Sequence, residues 1–249
     1  MDQIAEEVNV MNELFSDELK KLKWHFMEMG INVSEQIYQS TKAFIDHDRQ
    51  LAQSVIDNDQ KTNDEETNLE MQALNLIALK QPVAEDFRSI ISILKASSDL
   101  ERVGDHAVNI ARETIRVSGS QRVPAIEGSI ADMTASVRSM LEKVLDAYVH
   151  SDEDIARQVA KSDLEVDKQY ILIRDNITAA MRQNADTVTA SSSYLMVSRL
   201  LERVGDHIVN LAEWIVYNST GELTELNPGK SDPEMLHTLL NNEESDKWQ

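Results

Sequence analysis

The sequence predicts an all-α protein, a tandem duplication of a three-helix bundle with six long helices arranged 3+3. Apolar residues recur at alternating three- and four-residue steps through most of the chain, the period of an amphipathic helix. Its 249 residues include only seven glycines and four prolines, whereas a β-sandwich or barrel needs a turn roughly every ten residues. A twelve-residue block also recurs at an offset of 101 residues, with ten positions identical. We therefore expect a first repeat over 1–120, a second over 121–220 and a flexible acidic tail over 221–249.

The first three predicted helices cover residues 13–46, 48–79 and 83–117. Apolar spacing defines the first of them, at Phe15, Leu19, Leu22, Phe26, Met29, Val33, Ile37 and Phe44. The second ends before Pro82, because the residue preceding a proline is disfavoured in a helix. The third ends at Ser118-Gly119-Ser120.

The second half repeats this order. A fourth helix follows Pro124, and a fifth begins near Ser151-Asp152, a pair typical of a helix N-cap, with acidic residues in the first turn. The sixth covers 187–218 and stops before Gly221. Two units of similar length and similar helix order are the pattern expected of a duplicated bundle.

The composition of the chain excludes several classes of function. The chain carries 44 Asp and Glu against 24 Lys and Arg, a formal charge of −20, so it lacks the basic footprint of a nucleic-acid-binding protein. It contains no cysteine, which excludes disulfides, thiolate metal sites and thiol catalysis. Neither a signal peptide nor a run of about 20 apolar residues is apparent, so we expect a cytoplasmic protein.

The repeated block covers residues 100–111 and 201–212. On a helical wheel its Glu, Asp and Asn form one stripe opposite the apolar seam. These polar residues are identical in the two copies, while two apolar positions differ between them. Carboxylates at i and i+4 lie one helical turn apart, with about 5–6 Å between their Cβ atoms, and can share a hard cation. The pattern therefore favours metal ligation by Glu101, Asp105, Glu202 and Asp206.

A second acidic pair precedes each block by one helix. Asp59 and Asn63 correspond to Asp163 and Asp167 at an offset of 104, which implies a three-residue length change in the following loop. Each three-helix unit then offers two facing pairs of candidate ligands. Because all the ligands are oxygens, the pattern favours Mg, Mn or Fe over a zinc-finger type of site.

Other interpretations of these residues stay open. The acidic pairs also suit an ordinary solvated helix surface, and Gly104 and Gly205 suit close packing of a neighbouring helix as well as of a metal cluster. His106 and His207 are interpreted as flanking or partner-facing residues. Ferritin-like di-iron proteins place Glu and His three residues apart, whereas five residues separate Glu101 from His106.

Three functions remain: a regulatory interaction protein with metal sites and no catalysis, a metal-dependent hydrolase or oxidase using the same carboxylates, and a helical scaffold that binds basic partners without any ion. A metal measurement separates the first from the third, and turnover of phosphate esters or reaction with oxygen would reveal the second. We expect the first and assign no catalytic residue.

The chain resembles the PhoU family over about residues 8–220. The resemblance rests on the two Glu-Arg-Val-Gly-Asp blocks, the 3+3 duplication and the Gln-Pro-Val-Ala-Glu-Asp-Phe-Arg segment at 81–88. It implies surface multinuclear metal clusters of iron, zinc or manganese, with the four block carboxylates and the facing residues Asp59, Asn63, Asp163 and Asp167 as ligands. Asn63 is the neutral member, so the first site is expected to bind metal more weakly or differently.

The resemblance also implies a role. Such proteins restrain phosphate uptake and phosphate-starvation signalling. They act as soluble homodimers at the cytoplasmic face of the membrane, through contacts with the ATPase subunit of the phosphate ABC transporter and with a sensor histidine kinase.

Overall fold

The structure is a computed structural model that describes residues 2–227, with side chains from residue 15 onward. Within this part of the chain the regular structure is entirely helical, which confirms the predicted fold class. The helices are α1 (Asp2–Ile45), α2 (Arg49–Asp57), α3 (Asp59–Lys80), α4 (Ala84–Arg116), α5 (Pro124–His150), α6 (Glu153–Gln183) and α7 (Val188–Thr220), with a 3₁₀ turn at Ala185–Thr187 before α7.

Two helix boundaries differ from the prediction. The first helix begins at Asp2 rather than near residue 13. The predicted second helix is divided at Asn58 into α2 and α3. Asn58 lies between two aspartates, and such side chains compete with the helical backbone for hydrogen bonds. The third and sixth predicted helices, at 83–117 and 187–218, begin and end within two residues of α4 and α7.

Local signals explain where the helices start and stop. Asp152 caps α6 by accepting a hydrogen bond from the Ile155 amide at 3.0 Å, as the sequence predicts. Gln81 ends α3 in the left-handed conformation with φ at 50°. Gly221 ends α7 at φ 79°, and its amide donates to the Tyr217 carbonyl at 2.8 Å. Glycine adopts this backbone conformation without the clash that a side chain would cause.

The register of the two repeats is confirmed by burial. At the predicted offset of 104 residues, Val55 and Val159 are both buried, as are Leu69 and Ile173. The three-residue difference is taken up after α3, where residues 81–83 separate α3 from α4, while only Asn184 separates α6 from the following 3₁₀ turn. Together α2 and α3 therefore correspond to α6.

The apolar core extends through both repeats. One cluster of buried side chains joins α1, α4, α5 and α7, and α1 packs on α5 as well as on α3 and α4. Gly30 lies at the α1–α5 contact, where a Cβ atom would come within 2.5 Å of Leu145 Cδ2. The limits of 1–120 and 121–220 as separate domains stay a prediction.

The predicted tail begins with an ordered segment. Leu226 packs against the main core and Asn227 is buried. Residues 228–249, the rest of the predicted flexible tail, lie outside the described residues.

Candidate metal centre

The first acidic cluster, defined here as Asp59, Asn63, Glu101 and Asp105, lies where α3 packs on α4. Burial raises the pKa of Glu101 and of Asp59, and the charge of Asp105 raises both further. Three of the four predicted ligands are therefore close enough to interact electrostatically. Asn63 follows Asp59 by one helical turn and is half-buried.

Sequence reasoning missed Glu66 in this region. Its charge also raises the pKa of Glu101, so it adds an acidic group to the first cluster. No repeat signal marks it, because Tyr170 occupies the corresponding position of α6 at the offset of 104. The sequence signal that could have identified Glu66 is its spacing. It follows Asp59 by seven residues, two turns of α3, and therefore shares a helix face with Asp59.

The second acidic cluster, defined here as Asp163, Asp167, Glu202 and Asp206, lies where α6 packs on α7. Burial raises the pKa of Glu202 to about 7, with Arg199 opposing the shift and Asp206 and Asp167 adding to it. Burial and the charge of Asp206 also raise the pKa of Asp167. Three acids of this cluster thus repel one another inside a partly desolvated site.

Asp163 differs from Asp59 in burial. Its residue exposure is 2%, whereas Asp59 is half-buried. A Cβ atom at Gly205 would collide with Asp163 Oδ1. In the first repeat a Cβ at Gly104 would instead lie 3.1 Å from Thr62 Cγ2. Both glycines therefore admit a side chain of the neighbouring helix, the packing alternative left open by the sequence.

Each cluster is contacted by an arginine of its own helix. Arg102 Nη1 lies 3.0 Å from Asp105 Oδ2, and Arg199 Nη1 lies 2.5 Å from Glu202 Oε1. The two arginine side chains are 61% and 50% exposed. Ion pairs with such exposed partners contribute only about 0–1 kcal/mol, so a cation can displace the guanidinium groups at little cost.

The donor set fits a hard cation. Glu202 Oε2 is buried and has no hydrogen-bond partner among the described residues, and the neighbouring ligands are carboxylate oxygens. Such donors suit hard cations, among them the manganese expected from the sequence. Among residues 15–227, no group of three His, Asp or Glu side chains already encloses a position for one ion. The charge and the donor atoms of the second acidic cluster match a cation, although its side chains do not already enclose one. Metal ligation by these residues stays a prediction.

The two repeated histidines meet where α4 packs on α7. The ring centroids of His106 and His207 are 5.4 Å apart. His207 Nδ1 lies 2.9 Å from Asp99 Oδ1, which also accepts a hydrogen bond from Asn210. Both histidines thus contribute to internal packing between the repeats, a long-range contact that sequence spacing did not show.

The raised pKa of Glu202 yields a prediction for metal-free protein. Glu202 is protonated in the folded state up to about pH 7, whereas its ordinary pKa is 4.5. The free energy of unfolding should therefore fall as the pH rises from about 4.5 to 7 and then level off. Glu202→Gln should remove this fall and stabilise the protein at pH 8 by about 1 kcal/mol, after solvent screening and the lost Arg199 pair are allowed for.

Urea denaturation of both proteins at several pH values in the presence of a chelator measures the effect. Equal stability of wild type and variant at pH 8, with parallel pH profiles, would contradict the assigned repulsion among these acids.

The fold and the two clusters define a class: duplicated helical-bundle proteins with paired acidic residues on equivalent helices. The model of the PhoU domain matches the chain twice, at residues 26–114 and 130–215. The chain therefore belongs to the PhoU family. No helix in the described part of the chain is long and apolar enough to cross a membrane.

Relatives and solved structures agree with this membership. A phosphate-specific transport system accessory protein PhoU homolog of Clostridium acetobutylicum is 35% identical over 216 residues, 86% of this chain and 98% of that protein. The homolog of Pseudomonas aeruginosa is 33% identical over 207 residues, 83% of this chain and 86% of its own. The crystal structure of the phosphate transport system regulatory protein PhoU from Streptococcus pneumoniae matches with a TM-score of 0.79 and 30% identity, covering 84% of this chain and 99% of that one.

Proposed function

We propose that this protein is a negative regulator of phosphate uptake and phosphate-starvation signalling. The observation that carries the proposal is the family match in both repeats, with relatives named as accessory proteins of the phosphate-specific transport system. We assign it no catalytic step: it acts through protein–protein contacts. Its partners are the ATPase subunit of the phosphate ABC transporter and a sensor histidine kinase, which a homodimer meets at the cytoplasmic face of the membrane.

The physical properties of the chain support this role. Long helices sharing one apolar core form a rigid support for charged surfaces, and the formal charge of −20 favours basic surfaces on a partner. The two acidic clusters bind metal in this proposal. Bound iron, zinc or manganese would neutralise the repulsion among carboxylates whose pKa values are raised in the structure. Metal binding thereby sets the charge of the helix faces near both clusters.

Deleting the gene in its host tests the regulatory role. We expect phosphate uptake and phosphate-repressible alkaline phosphatase to stay high in phosphate-rich medium, because the restraint on transport and signalling is lost. A plasmid copy of the wild-type gene should restore repression. Normal repression in the deletion strain would contradict the proposal.

A further inference from the structure

The segment that follows α7 folds back along that helix. We call residues 222–227 the strap. The Leu226 amide donates a hydrogen bond to Glu213 Oε1 at 2.8 Å, and the Leu226 side chain packs on the main core. Asn227 is 4% exposed, and its Nδ2 donates to Asp206 Oδ1 at 2.8 Å. The strap therefore ends on a carboxylate of the second acidic cluster.

The strap reaches Asp206 only in an extended conformation. Fifteen residues of helix separate Asp206 from Gly221, a distance of about 22 Å at 1.5 Å per residue. The six residues of the strap, which follow Gly221, span at most about 20–22 Å when fully extended. This length match, together with the anchoring of Leu226, holds the Asn227 amide at Asp206.

The first cluster has a different environment. The chain that leaves α4 turns at Val117–Ser120, where the Ser120 amide donates to the Val117 carbonyl, and continues into α5. Asp105, the counterpart of Asp206, is contacted by Arg102 on its own helix. The strap also lies beyond residue 215, where the second match to the family model ends. It thus distinguishes two clusters that the repeat makes similar.

We propose that the strap closes the second acidic cluster and that Asn227 is a positioning residue for Asp206 in cation binding. This inference rests on the metal sites of the proposed function. A carboxylate has about four acceptor positions, so one N–H donor fixes its orientation and leaves the others for an ion. Hydrogen-bonded outer partners of this kind orient metal-ligating carboxylates, and their removal typically lowers metal affinity about 10- to 100-fold.

Mn²⁺ titration followed by electron paramagnetic resonance tests the proposal in the full chain. Protein carrying Glu101→Ala and Asp105→Ala retains only the second site. In that background Asn227→Ala should raise the Mn²⁺ dissociation constant about 10- to 100-fold. Leu226→Ser should act in the same direction, because it weakens the anchor of the strap. In protein carrying Glu202→Ala and Asp206→Ala, which retains only the first site, Asn227→Ala should change nothing.

The matched control is Leu223→Ser, since the Leu223 side chain in the same strap is 74% exposed. It should leave Mn²⁺ affinity unchanged at both sites. Unchanged or tighter binding by Asn227→Ala at the second site would overturn the strap proposal while leaving the metal sites in place. If the protein with only the second site and a native strap binds no Mn²⁺, the metal assignment of that cluster is wrong and the strap proposal falls with it.

Discussion

Replacing Arg122 with alanine is expected to lower the free energy of unfolding by about 3 kcal/mol, because it leaves the buried Glu127 carboxylate with only the Tyr194 hydroxyl and the His47 ring as partners among the described residues. Arg122 Nε lies 2.8 Å from Glu127 Oε1, and both side chains are at least nine-tenths buried. The guanidinium also stacks on Phe44, with its carbon 4.6 Å from the ring centroid, and faces Tyr194 at 5.5 Å. Arg122 lies in the segment that connects the two repeats, and through these contacts it ties that segment to α1, α5 and α7.

Urea denaturation measures this effect, and thermal unfolding should show a fall in Tm of roughly 10 °C. Arg157→Ala is the control: its ion pair with Glu153 is 38% and 33% exposed, so its loss should cost less than about 1 kcal/mol. Combining Arg122→Met with Glu127→Met should recover part of the loss, since both charges are then removed together. A loss from Arg122→Ala no larger than that from Arg157→Ala would contradict the assigned role.

The parts of the fold that sequence predicted are those fixed by local pattern. Amphipathic spacing located the helices, and Asp152 and Gly221 marked ends that depend on capping and on a positive φ. The internal repeat also predicted which residues are equivalent in the two halves, because a residue and its counterpart should occupy similar environments. The burial of both Val55 and Val159 confirms the offset of 104, which is only a faint match in the amino-acid sequence.

The parts that sequence did not predict depend on contacts between distant segments. Asp99 binds His207, but the position equivalent to Asp99 in the second repeat is Leu200, so no repeat signal marked the contact. Asn227 lies on Asp206 only because the chain reverses after α7. Asp163 is buried although its spacing suited an exposed ligand, because Gly205 leaves room for its side chain.

Loss of the acidic clusters should abolish Mn²⁺ binding by the protein. We expect two classes of site in the wild type, with the second cluster binding roughly tenfold more tightly, because affinity of oxygen-ligand sites follows the number of charged ligands. Asp167 is charged where its counterpart Asn63 is neutral, and Glu202 Oε2 is buried without a hydrogen-bond partner among the described residues. Glu66 offsets this difference in part, since its charge acts on Glu101 in the first cluster.

Substituting alanine for Glu202 and Asp206 should remove the tighter class, and substituting it for Glu101 and Asp105 should remove the weaker one. The matched control is Glu142→Ala with Asp146→Ala on α5. These acids have the same four-residue spacing, but their side chains are 65% and 63% exposed, as expected of a solvated helix face. Equal Mn²⁺ binding by the wild type and by protein lacking Glu101, Asp105, Glu202 and Asp206 would show that these four carboxylates do not hold the ion. Binding lost in the cluster variants and retained in the control would instead show that facing acids on packed helices, rather than acidic surface in general, hold the ion.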